Sequence, residues 1–90
     1  MDYLAVDDTE RLETLRSIVT THGRLNEAAA GLSADDDLFA RGLDSLAIVS
    51  VMLAVEEAFD VELPDAMLNR RTFGSLRALD AAVGTLRSGA

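Results

Sequence analysis

Few residues in this 90-residue chain can do chemistry. It contains one histidine, His22, and no cysteine, so disulfides and thiolate zinc sites are excluded. The most informative position is Ser45. It follows Gly42-Leu43-Asp44 and opens an apolar run, so Asp44 reads as an N-cap and Ser45 as the first helical residue. A hydroxyl there lies near the positive end of the helix dipole, where phosphate or another anion is stabilised. Position alone leaves three readings open: a plain polar residue, an anion-bearing residue, or a nucleophile. The last is the weakest. Gly42-Leu43-Asp44-Ser45-Leu46 is not a G-x-S-x-G elbow, and the one candidate general base, His22, falls at the end of a different predicted helix. Asp35-Asp36-Asp37 lacks the alternate spacing and glycine of a calcium loop and reads as a solvated turn; no metal is expected.

The charge balance narrows the partners. Sixteen acidic residues stand against eight arginines, giving a net charge of −8. Nucleic acid and anionic membranes attract basic patches and would repel such a domain. The arginines are scattered except for the adjacent pair Arg70-Arg71. Hydrophobic residues make up 49% of the chain, enough for a core and too many for a disordered segment. No apolar run reaches 18 residues, and the N-terminal stretch lacks the basic region of a signal peptide. A cytoplasmic acidic domain is expected, serving proteins with basic faces or holding a covalently carried ligand.

These residues must be positioned by helices. Asp7-Asp8-Thr9 starts the first, whose Leu12, Leu15, Ile18 and Val19 recur at helical spacing until Thr21-His22, with Gly23 as C-cap. Arg24 to Leu43 reads as a long loop, with a turn of helix at Ala28-Ala29-Ala30 and Leu32, Leu38 and Phe39 tacking it to the core. The second helix runs Ser45–Phe59. Val61 to Pro64 is extended, a short helix follows from Pro64-Asp65 to Asn69, and Thr72 or Ser75 caps a last helix carrying Leu76, Leu79, Val83 and Leu86. The expected fold is all-α: a small four-helix bundle of three longer helices and one short, with a long loop between the first two. One domain over 1–90 is expected, ordered from about 8 to 87 and monomeric.

The second helix carries more apolar surface than one core face needs. At about 100° per residue, Ile48, Val51, Met52, Val55 and Phe59 share one arc. Leu46, Val49 and Leu53 form a second stripe beginning beside Ser45. Either this helix is surrounded on all sides, or the second stripe is an exposed contact surface.

Asp36-Asp37-Leu38-Phe39-x-x-Gly42-Leu43-Asp44-Ser45-Leu46, followed by Glu56-Glu57-x-Phe59-Asp60-Val61-Glu62-Leu63-Pro64, resembles the acyl carrier proteins. In that family a D-S-L motif opens the second helix, and E-E-x-F-x-[IV]-x-[IFL]-P closes it. The resemblance implies that Ser45 accepts 4′-phosphopantetheine from coenzyme A, the chemistry being supplied by a phosphopantetheinyl transferase. It implies that Asp44 supports that modification, that Leu46, Val49 and Leu53 touch partner enzymes, and that the chain is a substrate and not an enzyme. Cargo would ride as a thioester on the arm's thiol.

The chain departs from the fatty-acid pattern in places. Such carriers usually place acids two and five residues after the serine, where this chain has Ala47 and Ser50, and the peptide-synthetase pattern of paired glycines is absent. Arg70 and Arg71 read either as dipole partners closing the short helix or as partner contacts. The segment Glu56–Phe73, with E-E-A-F-D-V-E and L-N-R-R-T-F, is similar to stand-alone bacterial aminoacyl carrier proteins. Those are served by seryl-tRNA-synthetase-like amino acid:carrier protein ligases. The resemblance implies glycine or alanine as cargo, loaded by such a ligase and delivered to a downstream acceptor enzyme. The alternatives are a fatty-acyl or polyketide carrier of a specialised pathway and, in another class, an unmodified helical adaptor.

Overall fold

The computed structural model describes residues 8–23, 25 and 32–88. It contains helices α1 (Asp8–His22), α2 (Ser45–Phe59) and α3 (Leu76–Ser88), with α1 packed against both others. Leu15 and Val19 of α1, Val51 and Val55 of α2, and Leu76, Leu79 and Val83 of α3 are fully buried. Leu38 and Phe73, from the connections, complete this interior and are buried as fully. The expected helical turn at Ala28-Ala29-Ala30 lies outside the described residues.

The expected fourth helix is reduced to a 3-10 turn, Asp65–Met67. Its bonds run three residues back, from Met67 N–H to the Pro64 carbonyl at 2.8 Å and from Leu68 N–H to Asp65 at 3.0 Å. Only Met67 of this turn finds partial cover, so no apolar face rewards further winding. Asn69 ends it: its side-chain amide donates to the Ala66 carbonyl, and its oxygen accepts from Thr72 N–H.

The described part of the long loop, from Leu32 on, is tied down along its length. Leu38 N–H donates to the Gly74 carbonyl at 2.9 Å and Arg77 N–H to Ala34 at 2.9 Å, so the loop is laced to the start of α3. The aspartate run does this shaping. Asp35 pairs with Arg77, Asp36 accepts from Ser33 N–H and pairs with Arg41, and Asp37 accepts from the N–H groups of Phe39 and Ala40. Among the described residues no cluster of three metal-ligating side chains occurs.

Ser75, not Thr72, caps α3, its hydroxyl accepting from Ala78 N–H at 3.1 Å. Arg11 of α1 grips Asp80 of α3 at 2.5 and 3.3 Å, both side chains largely covered. At the other end, Arg87 donates to the Phe59 carbonyl at 2.7 Å and so satisfies the last turn of α2.

Candidate functional site

The site is built at the head of α2. Gly42 has φ 118°, a conformation that disfavours any side chain, and turns the loop toward the helix. Leu43 anchors the turn: it is buried and its N–H donates to the Leu38 carbonyl at 3.0 Å. Asp44 then sits in extended backbone (φ −128°, ψ 179°), and its Oδ1 accepts from Ala47 N–H at 2.9 Å. That is the expected N-cap, satisfying one of the orphan donors of the first turn. Ser45 follows as the first helical residue, exposed, its hydroxyl without a partner among the described residues. The first turn holds no acid of its own, so the positive end of the dipole faces outward around Ser45.

From this point an apolar stripe descends the helix. Leu46 is 79% exposed, Val49 52% and Leu53 56%, so the alternative of a helix surrounded on all sides fails. The inward face is Ala47, Val51, Val55 and Phe59, while Ile48 and Met52 flank it half-buried. Ala47 stands two residues after Ser45, at the first of the two positions where the fatty-acid pattern has an acid. Here it is 2% exposed, and a carboxylate would have to be desolvated to sit there. Only Ser50 of those two positions faces solvent.

The remaining sequence candidates separate. Arg70 stacks over the Phe39 ring at 4.1 Å from its centroid, which pins the 69–72 segment onto the loop leading to α2. With no α-helix ahead of it, Arg70 is not a dipole partner. Arg71 is exposed and has no ion-pair partner among the described residues. His22 ends α1 and faces the C-terminal half of α2, away from Ser45, so the two do not form a catalytic pair.

Three features had no sequence signal. Leu68, 39% exposed, adds an apolar residue beyond the 3-10 turn. Glu56 Oε2 accepts from Leu63 N–H at 2.8 Å, fixing the chain as it leaves α2. An open groove of about 480 Å³ lies between α1 and α2, lined by Ile18, His22, Ser50, Leu53, Ala54, Glu57 and Ala58. Helix α1 supplies one wall, and no reading of α2 alone reveals it.

An exposed, unpartnered hydroxyl at a helix N-terminus is chemically suited to bear an anionic phosphodiester. The comparisons agree with that donor set. The family described as phosphopantetheine attachment site matches residues 13–79. An aminoacyl carrier protein from Agrobacterium fabrum (strain C58) is 41% identical over 76 residues, 84% of this chain and 92% of the relative. A carrier protein from Agrobacterium tumefaciens, solved with an engineered Bradyrhizobium japonicum glycine:[carrier protein] ligase and ATP, superposes with a TM-score of 0.78. It is 40% identical, across 82% of this chain and 96% of that one. The solution structure of ATC2521 from Agrobacterium tumefaciens gives 0.72 at 40% identity, covering 87% and 94%. The chain therefore belongs to the phosphopantetheine carrier family, whose members hold a covalent 4′-phosphopantetheine and are not themselves enzymes.

Proposed function

We propose that this protein is an aminoacyl carrier that holds glycine or alanine as a thioester on a 4′-phosphopantetheine attached to Ser45. The observation that carries this reading is the free, exposed Ser45 hydroxyl heading the stripe of Leu46, Val49 and Leu53. The relatives supply the cargo class: one is named an aminoacyl carrier protein, and another is bound to a glycine:[carrier protein] ligase. The solved ligase complexes hold ATP in one case and AMP in the other; ATP is consumed when an amino acid is activated as its adenylate, and AMP leaves when a thiol takes the aminoacyl group.

In this reading Ser45 is an attachment point. Its Oγ would attack the coenzyme A phosphorus that bears pantetheine; the pyrophosphate P–O bond breaks, adenosine 3′,5′-bisphosphate leaves, and the hydroxyl proton goes to a base of the transferase. The bound group supplies a thiol, which this chain lacks. Asp44 serves twice: Oδ1 is engaged in the cap, while its exposed carboxylate remains open to the transferase and its metal. Leu46, Val49 and Leu53 dock the transferase, the ligase and a downstream acceptor in turn, and Arg71 and Arg70 extend that surface. No helix among the described residues is long and apolar enough to cross a membrane, and work in the cytoplasm fits these partners.

The test is intact mass after incubation with coenzyme A, Mg²⁺ and a promiscuous phosphopantetheinyl transferase. One phosphopantetheine is expected on the protein and none on Ser45→Ala. No gain, or a gain that survives the substitution, would end the carrier assignment. Offering the holo form to a glycine:[carrier protein] ligase and to a malonyl transferase then tests the cargo. Loading by the malonyl transferase alone favours the fatty-acyl or polyketide alternative.

A further inference from the structure

We infer that the groove between α1 and α2 is a resting site for the aminoacyl end of the protein's own pantetheine arm, with Glu57 holding the α-ammonium. This rests on the reading of Ser45 as the attachment residue and adds a binding site to it.

The groove is continuous with the stripe. Leu53 belongs both to the exposed apolar row that begins beside Ser45 and to the groove wall. Ile18, Ala54 and Ala58 complete an apolar lining, and the polar residues on it are Ser50, His22 and Glu57. Among the described residues no arginine lines it. The two glutamates at this end of α2 differ: Glu56 accepts from Leu63 N–H, whereas Glu57 is exposed and its carboxylate has no partner among the described residues. The last turn of α2 contains no basic residue, so its negative dipole end adds to the Glu57 charge.

That combination suits a ligand that is apolar along its length and cationic at its tip. An aminoacyl thioester is such a ligand, because its α-amine stays protonated near neutral pH, whereas a fatty-acyl group ends in hydrocarbon. The reach also fits. Ser45 and Glu57 are twelve residues apart, about 18 Å along a helix axis, and a glutamate side chain leans back toward the N-terminus. The arm has about fourteen bonds from Oγ to sulfur, roughly 17 Å extended at ordinary bond lengths, and the aminoacyl group adds a few more. Among the described residues, His22 is the other titratable group facing the groove.

The experiment compares amide chemical shifts of ¹⁵N-labelled protein in three states: holo, acetyl-loaded and glycyl-loaded, each verified by intact mass. The glycyl form is expected to shift His22, Ser50, Leu53, Ala54 and Glu57 relative to holo, and the acetyl form to shift them far less. In Glu57→Gln, checked for unchanged helical circular dichroism, the glycyl pattern should collapse to the acetyl one. Its glycyl thioester should also hydrolyse about two- to fivefold faster, as expected for losing one exposed ion pair. Glycyl shifts confined to 44–47, or groove shifts that persist in Glu57→Gln, would overturn the site while leaving attachment intact. Failure to load Ser45 at all would overturn attachment and the site with it.

Discussion

The two faces of α2 are made of the same kinds of residue and meet opposite fates. Ala47, Val51, Val55 and Phe59 are buried, while Leu46, Val49 and Leu53, on the same fifteen-residue helix, stand mostly in water. Side-chain hydrophobicity does not separate them. What separates them is what the rest of the chain brings alongside: α1, α3 and the 38–43 turn cover one face, and nothing described covers the other. Burying a large aliphatic side chain contributes about 1.5–3 kcal/mol, so the outer face withholds a gain that the bundle does not collect. That gain is available to a docking partner, so the outer face suits the role proposed for it while the inner one holds the fold together.

Substitutions can break this contrast. The largest effect is expected on the inner face: Phe59→Ala should destabilise the fold by about 3–5 kcal/mol, a large share of a small domain's total, read by urea denaturation. Leu46→Asp on the outer face should leave stability within about 0.5 kcal/mol, yet lower ligase loading (kcat/KM) about tenfold or more. Loss of helical circular dichroism in Leu46→Asp would show that the face is core after all. Asp44→Ala lies between them. It should cost about 1 kcal/mol through the lost cap and also slow transferase modification of Ser45, with Asp44→Asn restoring the stability but not the rate.

The smallest effect tests the loop that carries the inner face's cover. Asp35 is held below the usual carboxylate range by its hydrogen bond to Arg77, and Asp36 by the hydrogen bond from Ser33 N–H. A lowered native pKa means stability that is present above the ordinary value of 3.8 and lost as pH falls through the lowered native value. Amide protection factors in 33–41, corrected for the intrinsic pH dependence of exchange, should therefore fall below that range before those of the helices do. Asp35→Asn should remove that pair's share of the change at all pH values.

Sequence alone made α2 legible because its signals are local: the Asp44 cap, the apolar spacing and the closing Glu56–Pro64 segment all lie within one stretch of chain. The exposed second stripe was visible as an excess, though only packing could show which stripe stayed outside. The rest depended on contacts between distant residues. Arg70 meets Phe39 and Arg77 meets Asp35, pairs separated by more than thirty positions, and neither carries a periodic signature. The short helix expected after Pro64 winds only as a 3-10 turn, because Pro64-Asp65 supplies a helix start while the residues that follow offer no apolar face to bury. Glu56 and Glu57 are indistinguishable as letters. Their roles diverge because one side chain can reach back to Leu63 N–H, while the other opens onto the groove that α1 completes.

The cap and burial of the first turn of α2 have a mechanical consequence. Asp44 bonds Ala47 N–H, Ala47 is seated in the core, and Leu43 anchors the approach, so Ser45 is a fixed pivot though its side chain is exposed. With the arm attached at Ser45 as proposed, a flexible tether on that stiff pivot samples a small volume about one origin. The local concentration of its tip at a docked enzyme is then set by tether length, in the millimolar range for short flexible linkers. Softening the pivot would enlarge that volume and dilute the tip without altering a single contact with the enzyme.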